Sequence, residues 1–169
     1  MMESNGLKIN ERINEGLKRL IELAELKKQH MHCILELTRQ QSEVLSAEQV
    51  DQLLKYIQDK QEHIDAIKAL DEEFSGIFGG IKKEVCRDGF KHDNPEGYGL
   101  YVKLRARVSE IKDVVEAIYS LEVQNQERVR DILQDVKARI SNINRGKRGY
   151  SAYKQQVPQA DGVFIDQRK

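Results

Sequence analysis

Side chains that could do chemistry are few and scattered in this sequence. The tightest group of metal-ligand types is His30, His32 and Cys33. On a helix His30 and Cys33 share a face while His32 points away, and a zinc site needs four protein ligands, or three and a water. Cys86, the other cysteine, falls roughly 40 Å from Cys33 along the predicted helices. We therefore expect no metal and no other cofactor.

Acid–base and phosphate chemistry are equally poorly supported. The densest carboxylate group, Asp71 to Glu73, would need a dry pocket and separated pKa values to act as acid and base. The glycines Gly76, Gly79 and Gly80 lack the phosphate-loop pattern and a preceding strand, and they predict a bend instead. No nucleophile–base arrangement stands out, so we expect no enzyme.

Composition favours long helices. Charged residues make up 33% of the 169 residues, aromatic residues 6%, and Trp is absent. The net charge of zero hides an asymmetry, because residues 145–169 carry six Lys or Arg against two acids and the rest of the chain is acidic. This pattern predicts self-docking or an acidic partner. Four net charges are too few for a nucleic-acid footprint, so we expect no nucleic-acid partner.

The sequence also predicts no membrane insertion, since no run of 18 apolar residues exists. Residues 1–5 lack the basic region and apolar core of a signal peptide. Two cysteines do not make a disulfide framework. A cytoplasmic location is the expectation.

Apolar periodicity predicts three long helices. Residues 101–143 contain no Gly or Pro and place apolar side chains at alternating spacings of three and four, which is typical of a helix that packs along one stripe. The helices are expected at about 7–45, 46–78 or 46–88, and 95–145. Ser46 would cap the second helix, Asn94 with Pro95 would begin the third, and Gly146 would end it.

Short connections between such helices favour antiparallel neighbours. The predicted fold is all-α: an elongated up-down-up three-helix antiparallel bundle or coiled coil of residues 1–145, followed by a mobile basic tail of residues 146–169. The bundle should bury five side chains, which are Ile64, Ile67, Val108, Ile111 and Val115.

A polar interruption lies on the apolar stripe of the third helix at Glu122 and Asn125. One interpretation is that the helix outgrows its partners or shifts its stripe there. The other is a buried polar layer that fixes the register of the helices.

The end of the third helix is a candidate interaction surface. If the first two helices turn over near residue 45, equal helical rises place that tip beside roughly residue 135 of the third helix. Val136, Ile140 and Ile143 would then form an apolar stripe without an intramolecular partner. Such a stripe fits an amphipathic partner helix or a second copy of the chain, as a homodimer.

The last segment carries two further candidates. Tyr150 and Tyr153 lie among cations, and they fit stacking on single-stranded nucleic acid, anchoring of a protein partner, or a passive tail. Val163, Phe164 and Ile165 form an apolar triplet that could fill a groove.

Several of these segments resemble the FlgN family of flagellar export chaperones. Residues 23–29 resemble the start of the family's sequences, and residues 60–64 followed by Leu70 and Asp71 resemble the family's second helix. The most specific similarity lies in the tail, at Gly146-Lys147 with Tyr150 to Tyr153 and then residues 161–166.

The resemblance implies a cytoplasmic, non-catalytic chaperone. Such a protein binds hook–filament junction proteins (the flagellar hook-associated proteins), keeps them soluble and delivers them to the export gate. The family is thought to bind its client through the C-terminal region and the gate through a tail tyrosine, for which Tyr150 and Tyr153 are the matching positions.

We also expect Val163, Phe164 and Ile165 to fold back on an exposed stripe of the body until a client displaces them. The alternative to a chaperone is a non-catalytic coiled-coil adaptor or structural protein that binds another helical partner.

Overall fold

A computed structural model of the chain describes residues 2–46 and 49–156, with side chains at 6–46 and 49–154. These residues form four helices: α1 (Met2–Glu43), α2 (Val50–Val85), α3 (Phe90–Asp93) and α4 (Pro95–Gln156). The described part contains no strand, so the all-helical prediction is confirmed, although it has four helices and not three. The chain divides into two units, the first ending at Arg128 and the second beginning at Val129.

The core of the first unit is centred on α1. Leu17 and Leu20 are fully buried, and Leu23 and Ala24 continue the same stripe at helical spacing. The other helices supply the remaining members of this cluster, which include Ile81, Val85, Phe90, Leu104 and Ile111. The most buried helix is therefore α1, because apolar side chains of α2, α3 and α4 all pack against it.

Polar contacts show that α1 and α2 run in opposite directions. Arg19 Nε lies 2.8 Å from Glu73 Oε1 in the first half of α1, and Lys60 Nζ donates to Gln41 Oε1 at 2.7 Å near the end of α1. Higher residue numbers in α1 thus pair with lower numbers in α2. This is the helical hairpin that the short connection predicted.

Contacts between α1 and α4 show that these two helices run in the same direction. Asn94 Nδ2 donates to Asn14 Oδ1 at 2.8 Å, and Ser42 Oγ donates to Asn125 Oδ1 at 2.6 Å. Residue numbers rise together in the two helices, so this part of α4 runs in the same direction as α1.

A tight corner joins α2 to α4. Gly89 adopts a left-handed conformation with φ of 90°, which glycine tolerates best, and it turns the chain so that Phe90 enters the core. Asn94 then precedes α4, and its Oδ1 accepts a hydrogen bond from the Gly97 backbone N–H at 3.0 Å. The prediction that Asn94 caps this helix is confirmed, because its side chain bonds to the third residue of the helix.

The prediction that Ser46 caps the second helix is wrong. Helix α2 begins at Val50 with Gln49 in the cap position, and no side chain caps it. The Ser46 N–H instead donates to the Val44 carbonyl at 2.8 Å, so Ser46 belongs to the turn that ends α1. Ala47 and Glu48, which lie between Ser46 and the cap position, are outside the described residues.

Helix α4 does not end at residue 145. It continues through Gly146 and Gly149 to Gln156, so the first part of the predicted tail is helical. A glycine ends a helix most effectively when it adopts positive φ, and Gly89 is the one described glycine that does so. Helix α2 likewise continues through its three glycines to Val85.

The predicted seam is correct for two of its five residues. Ile67 and Ile111 are buried, but three of the expected core residues are between 41% and 46% exposed: Ile64, Val108 and Val115. Val114 is buried where Val115 was expected. The side of α4 that contains Ile111 and Val114 therefore packs against α1. The neighbouring apolar side chains Val108 and Val115 remain exposed.

Candidate interaction surface

The second unit presents an apolar stripe along α4. Ile140 and Ile143 are 53% and 57% exposed, and Val136 is half-buried. Spacings of four and three residues put these side chains on one face of the helix. The same spacing extends the stripe backwards to Leu133 and Val129, which are also exposed. We call the five residues the α4 stripe.

Both tyrosines that the sequence singled out are helical and exposed. Tyr150 and Tyr153 have 68% and 70% of their surface accessible. Tyr150 follows Ile143 by seven residues, or nearly two turns, so it continues the α4 stripe, whereas Tyr153 is turned about 60° further round the helix from Tyr150. Val163, Phe164 and Ile165 lie outside the described residues.

Cations accompany the α4 stripe. Between residues 137 and 154 the chain carries six Lys or Arg and no acid. Ile140 shares a shallow surface depression with several of them, lined by Lys137, Ile140, Ser141, Asn144, Arg145 and Arg148. This surface combines apolar contact with uncompensated positive charge, which suits an apolar partner that carries carboxylates.

A second apolar surface lies in the first unit, where α2 and α4 flank α1. A cavity of about 170 Å³ opens there, with Leu23 and Ala24 of α1 as its floor. Its walls are Leu70, Asp71 and Phe74 of α2 with Val108 and Ile111 of α4, and Lys27 also lines it. We call this feature the α2–α4 groove. Sequence reasoning missed it because periodicity marks Val108 as apolar but does not say which helix it faces.

A polar layer lies further along the same three helices. Asn125 is buried, donates from Nδ2 to the Thr38 carbonyl at 3.2 Å, and accepts from Ser42 Oγ. Lys60 Nζ contacts Glu122 Oε1 as well as Gln41. The polar-layer interpretation of residues 122 and 125 is therefore correct, since these side chains bond to α1 and α2 and do not lie on an outgrown helix end.

Ion pairs at the surface of the first unit connect α1 to α2 and to α4. The hydrogen bond from Arg19 lowers the pKa of Glu73 below its ordinary value. Hydrogen bonds from Lys28 and Arg107 likewise lower the pKa of Glu110, and the hydrogen bond to Glu110 raises the pKa of Lys28. These groups remain at least partly in water, so their ion pairs adjust stability modestly and with dependence on salt.

The candidate metal ligands do not converge. His30 Nδ1 lies 2.9 Å from His63 Nδ1 across the α1–α2 interface, while Cys33 and Cys86 are both exposed free thiols. Among the described residues no three His, Cys, Asp or Glu side chains are grouped to hold a metal ion. No described helix is long and apolar enough to cross a bilayer.

These features define a class: a helical binding protein whose exposed apolar residues follow one helix face and one interhelical groove. Comparison with protein families identifies the class of protein more closely. The chain belongs to the FlgN family, because the model of the FlgN protein family matches it over residues 16–158. The FlgN family is a family of flagellar export chaperones, which act in flagellum assembly and type III export. No curated protein and no solved structure matches the chain at a significant level.

Proposed function

We propose that this protein is a cytoplasmic flagellar export chaperone without catalytic activity. It binds hook–filament junction proteins, keeps them soluble and delivers them to the export gate. The family match supports the chaperone role. The observation that supports client binding is the α4 stripe, because an exposed apolar helix face of this kind can bind an amphipathic helix.

The client surface in this proposal is Val136, Ile140 and Ile143, extended by Leu133 and Val129. A client helix that laid its own apolar side chains along this stripe would bury residues that are now in water. At roughly 25 cal/mol per Å² of apolar area, a few such side chains supply useful affinity. In this proposal α1, α2 and the first part of α4 form an up-down-up three-helix bundle, and the stripe is presented on a helix because it lies on α4.

Tyr150 and Tyr153 are the proposed contacts with the export gate. An exposed tyrosine offers a large contact area and a polar tip at low entropic cost, which is why tyrosines are frequent anchors in interfaces. A Tyr150→Ala, Tyr153→Ala variant should keep its client but lose delivery. Normal motility of cells carrying this variant would remove the tyrosines from the proposal.

The proposal further assigns a shielding role to Val163, Phe164 and Ile165, as a competitor for the apolar surface. Removing residues 157–169 should then raise the affinity for a client, because a competing contact is lost. Equal affinities of the full-length and truncated proteins would contradict the shielding role.

Client protection gives the direct test of function. A purified hook–filament junction protein should aggregate less, by light scattering, when the wild-type chain is added. The variant Ile140→Glu should lose this protection, whereas Asn142→Glu, which adds the same charge on another face of α4, should keep it. Equal protection by both variants would rule out the α4 stripe as the client surface.

A further inference from the structure

The second unit contains a basic amphipathic helix. Its apolar face is the α4 stripe, and residues 129–154, which include that stripe, carry seven Lys or Arg against two acids. The net charge of this part of α4 is therefore +5. All seven cationic side chains are exposed, so their charges are available to an anionic partner.

The charges are arranged around the apolar face in a definite order. On a helix of 3.6 residues per turn, Lys137 lies about 60° from Ile140 on one side, and Arg139 lies about 100° from Ile140 on the other. Arg148 falls on the same side as Lys137. Both acids of this segment lie about 140° to 180° from Ile140, on the far side of α4. Cations thus border the apolar face on its two sides, and the acids are kept away from it.

This order of side chains is typical of a helix that lies in a membrane interface. The apolar side chains of such a helix enter the boundary between headgroups and acyl chains, while the long stems of Lys and Arg let their charges reach lipid phosphates. Anionic headgroups attract each cation near the surface, and the attraction increases with the number of cations. Nucleic acid would bind the cations but would leave the apolar stripe in water. A lipid surface accounts for both the stripe and its cationic borders.

The cationic pattern also continues past the proposed client surface. Four of the six cations between residues 137 and 154 follow Ile143, the last residue of that surface. Tyr150 and Tyr153 lie among these four cations and are exposed. Tyrosine is frequent at membrane interfaces, because its ring is apolar and its hydroxyl stays in contact with water or headgroups. A client helix on the α4 stripe leaves this last part of α4 without an explanation.

Other exposed apolar side chains lack this setting. Ile57 and Ile64 of α2 are 49% and 45% exposed. Residues 51–65 around them, however, carry four acids and two lysines. An anionic surface would repel that part of α2, so charge favours α4 as the contact.

We propose that residues 129–154 of α4 bind the surface of a bilayer that contains anionic lipids. The helix lies parallel to the surface, with the α4 stripe and Tyr150 towards the acyl chains and the bordering cations at the lipid phosphates. It does not cross the bilayer, and no described helix is long and apolar enough to do so. This goes beyond the proposed function, since the contact needs no client. A client and a bilayer would use the same stripe and would therefore exclude each other.

Vesicle co-sedimentation of the purified full-length chain without a client gives the first test. Vesicles of phosphatidylcholine and phosphatidylglycerol in equal amounts should bind the wild type about tenfold more strongly, or better, than vesicles of phosphatidylcholine alone. Inorganic phosphate should not release the bound chain. Failure of the wild type to bind the anionic vesicles would overturn the proposal, and so would its release by phosphate. Tighter binding of a single-stranded oligonucleotide than of the anionic vesicles would overturn it in favour of nucleic acid.

Two triple variants locate the contact. They are Lys137→Gln, Arg139→Gln, Arg148→Gln and, as the control, Lys55→Gln, Lys83→Gln, Lys103→Gln. Both remove the same charge from exposed positions, the first in the second unit and the control in the first unit. Circular dichroism should show that both remain helical. The first variant should bind the anionic vesicles about tenfold to a hundredfold more weakly than the wild type, and the control should bind as the wild type does. Equal binding by the two variants would contradict the assignment to α4.

A fluorescent reporter separates burial of the stripe from the attraction of charges alone. The chain has no Trp, so a single introduced Trp reports only on its own surroundings. Ile143→Trp puts the indole on the α4 stripe, whereas Asn142→Trp puts it about 160° from Ile140. Anionic vesicles should shift the emission of Ile143→Trp to shorter wavelength and leave that of Asn142→Trp unchanged. An unshifted Ile143→Trp, or equal shifts of both variants, would overturn the proposal, because the stripe would then not be the face that meets the bilayer.

Discussion

Asn125 of α4 donates a hydrogen bond to the Thr38 carbonyl of α1 at 3.2 Å, within the buried polar layer between these helices. A buried amide needs such partners, because an unsatisfied polar group in the interior is costly. Sliding α4 by one turn would separate Asn125 from both Thr38 and Ser42. The polar layer therefore penalises every register but one, in the way that a buried Asn does in a coiled coil.

The ion pair in this layer should behave as a coupled unit. Lys60→Met alone leaves the Gln41 oxygen without its donor and the Glu122 carboxylate with only the 3.4 Å hydrogen bond from Thr38 Oγ1. We expect a loss of about 1 to 2 kcal/mol in the free energy of unfolding. The double variant Lys60→Met, Glu122→Leu should recover part of that loss, because neither charge remains. Urea denaturation of both single variants and the double measures this coupling, and additive losses would contradict it.

Two glycines in the first two turns of α4 should respond oppositely to replacement by alanine. A Cβ on Gly97 would lie 2.6 Å from Asn14 Oδ1 and would also collide with Asn94, whereas a Cβ on Gly99 meets nothing within 4 Å. Gly97→Ala should lower stability by about 1 to 3 kcal/mol through this overpacking. Gly99→Ala should raise it by about 0.5 to 1 kcal/mol, as alanine favours the helix. Thermal unfolding distinguishes the two, and equal shifts would contradict the packing at Asn14 and Asn94.

Acid should lower the stability of the first unit by weakening its ion pairs. Glu73 and Glu110 have folded-state pKa values below the ordinary 4.5, so their stabilising contribution is present above pH 4.5 and is lost as the pH falls through the lowered values. The double variant Glu73→Gln, Glu110→Gln should melt lower than the wild type at pH 7, with a shallower decline of melting temperature in acid. Glu72→Gln is the control, since Glu72 makes no ion pair with a described side chain. Parallel pH profiles of the wild type and the double variant would contradict this assignment.

Local signals in the sequence predicted some features correctly. Asn94 followed by Pro95 identified the start of α4, because both the cap and the proline act through the backbone of the first turn. Ser46 also looked like a helix cap, but that prediction was wrong, because the Ser46 N–H is used in the turn that ends α1. Replacing Ser46 should therefore change the free energy of unfolding little.

The sequence could not predict which side of each helix is covered. Val114 and Val115 are adjacent and equally apolar, yet one is buried and the other exposed. That difference depends on how α4 is rotated against α1, which the polar layer and the Asn14–Asn94 contact determine. The α2–α4 groove follows from the same rotation. The α4 stripe, by contrast, was foreseen from spacing alone, since Ile140 and Ile143 share a helix face in any arrangement.

Calorimetric titration of a purified hook–filament junction protein into the wild-type chain, Ile140→Glu and Asn142→Glu tests whether the α4 stripe binds the client. We expect binding by the wild type and by Asn142→Glu. We expect no measurable binding by Ile140→Glu, with an unchanged melting temperature because Ile140 is exposed. Wild-type affinity of Ile140→Glu would contradict the assignment of the α4 stripe to the client, and absence of binding by the wild type would contradict the proposed function itself.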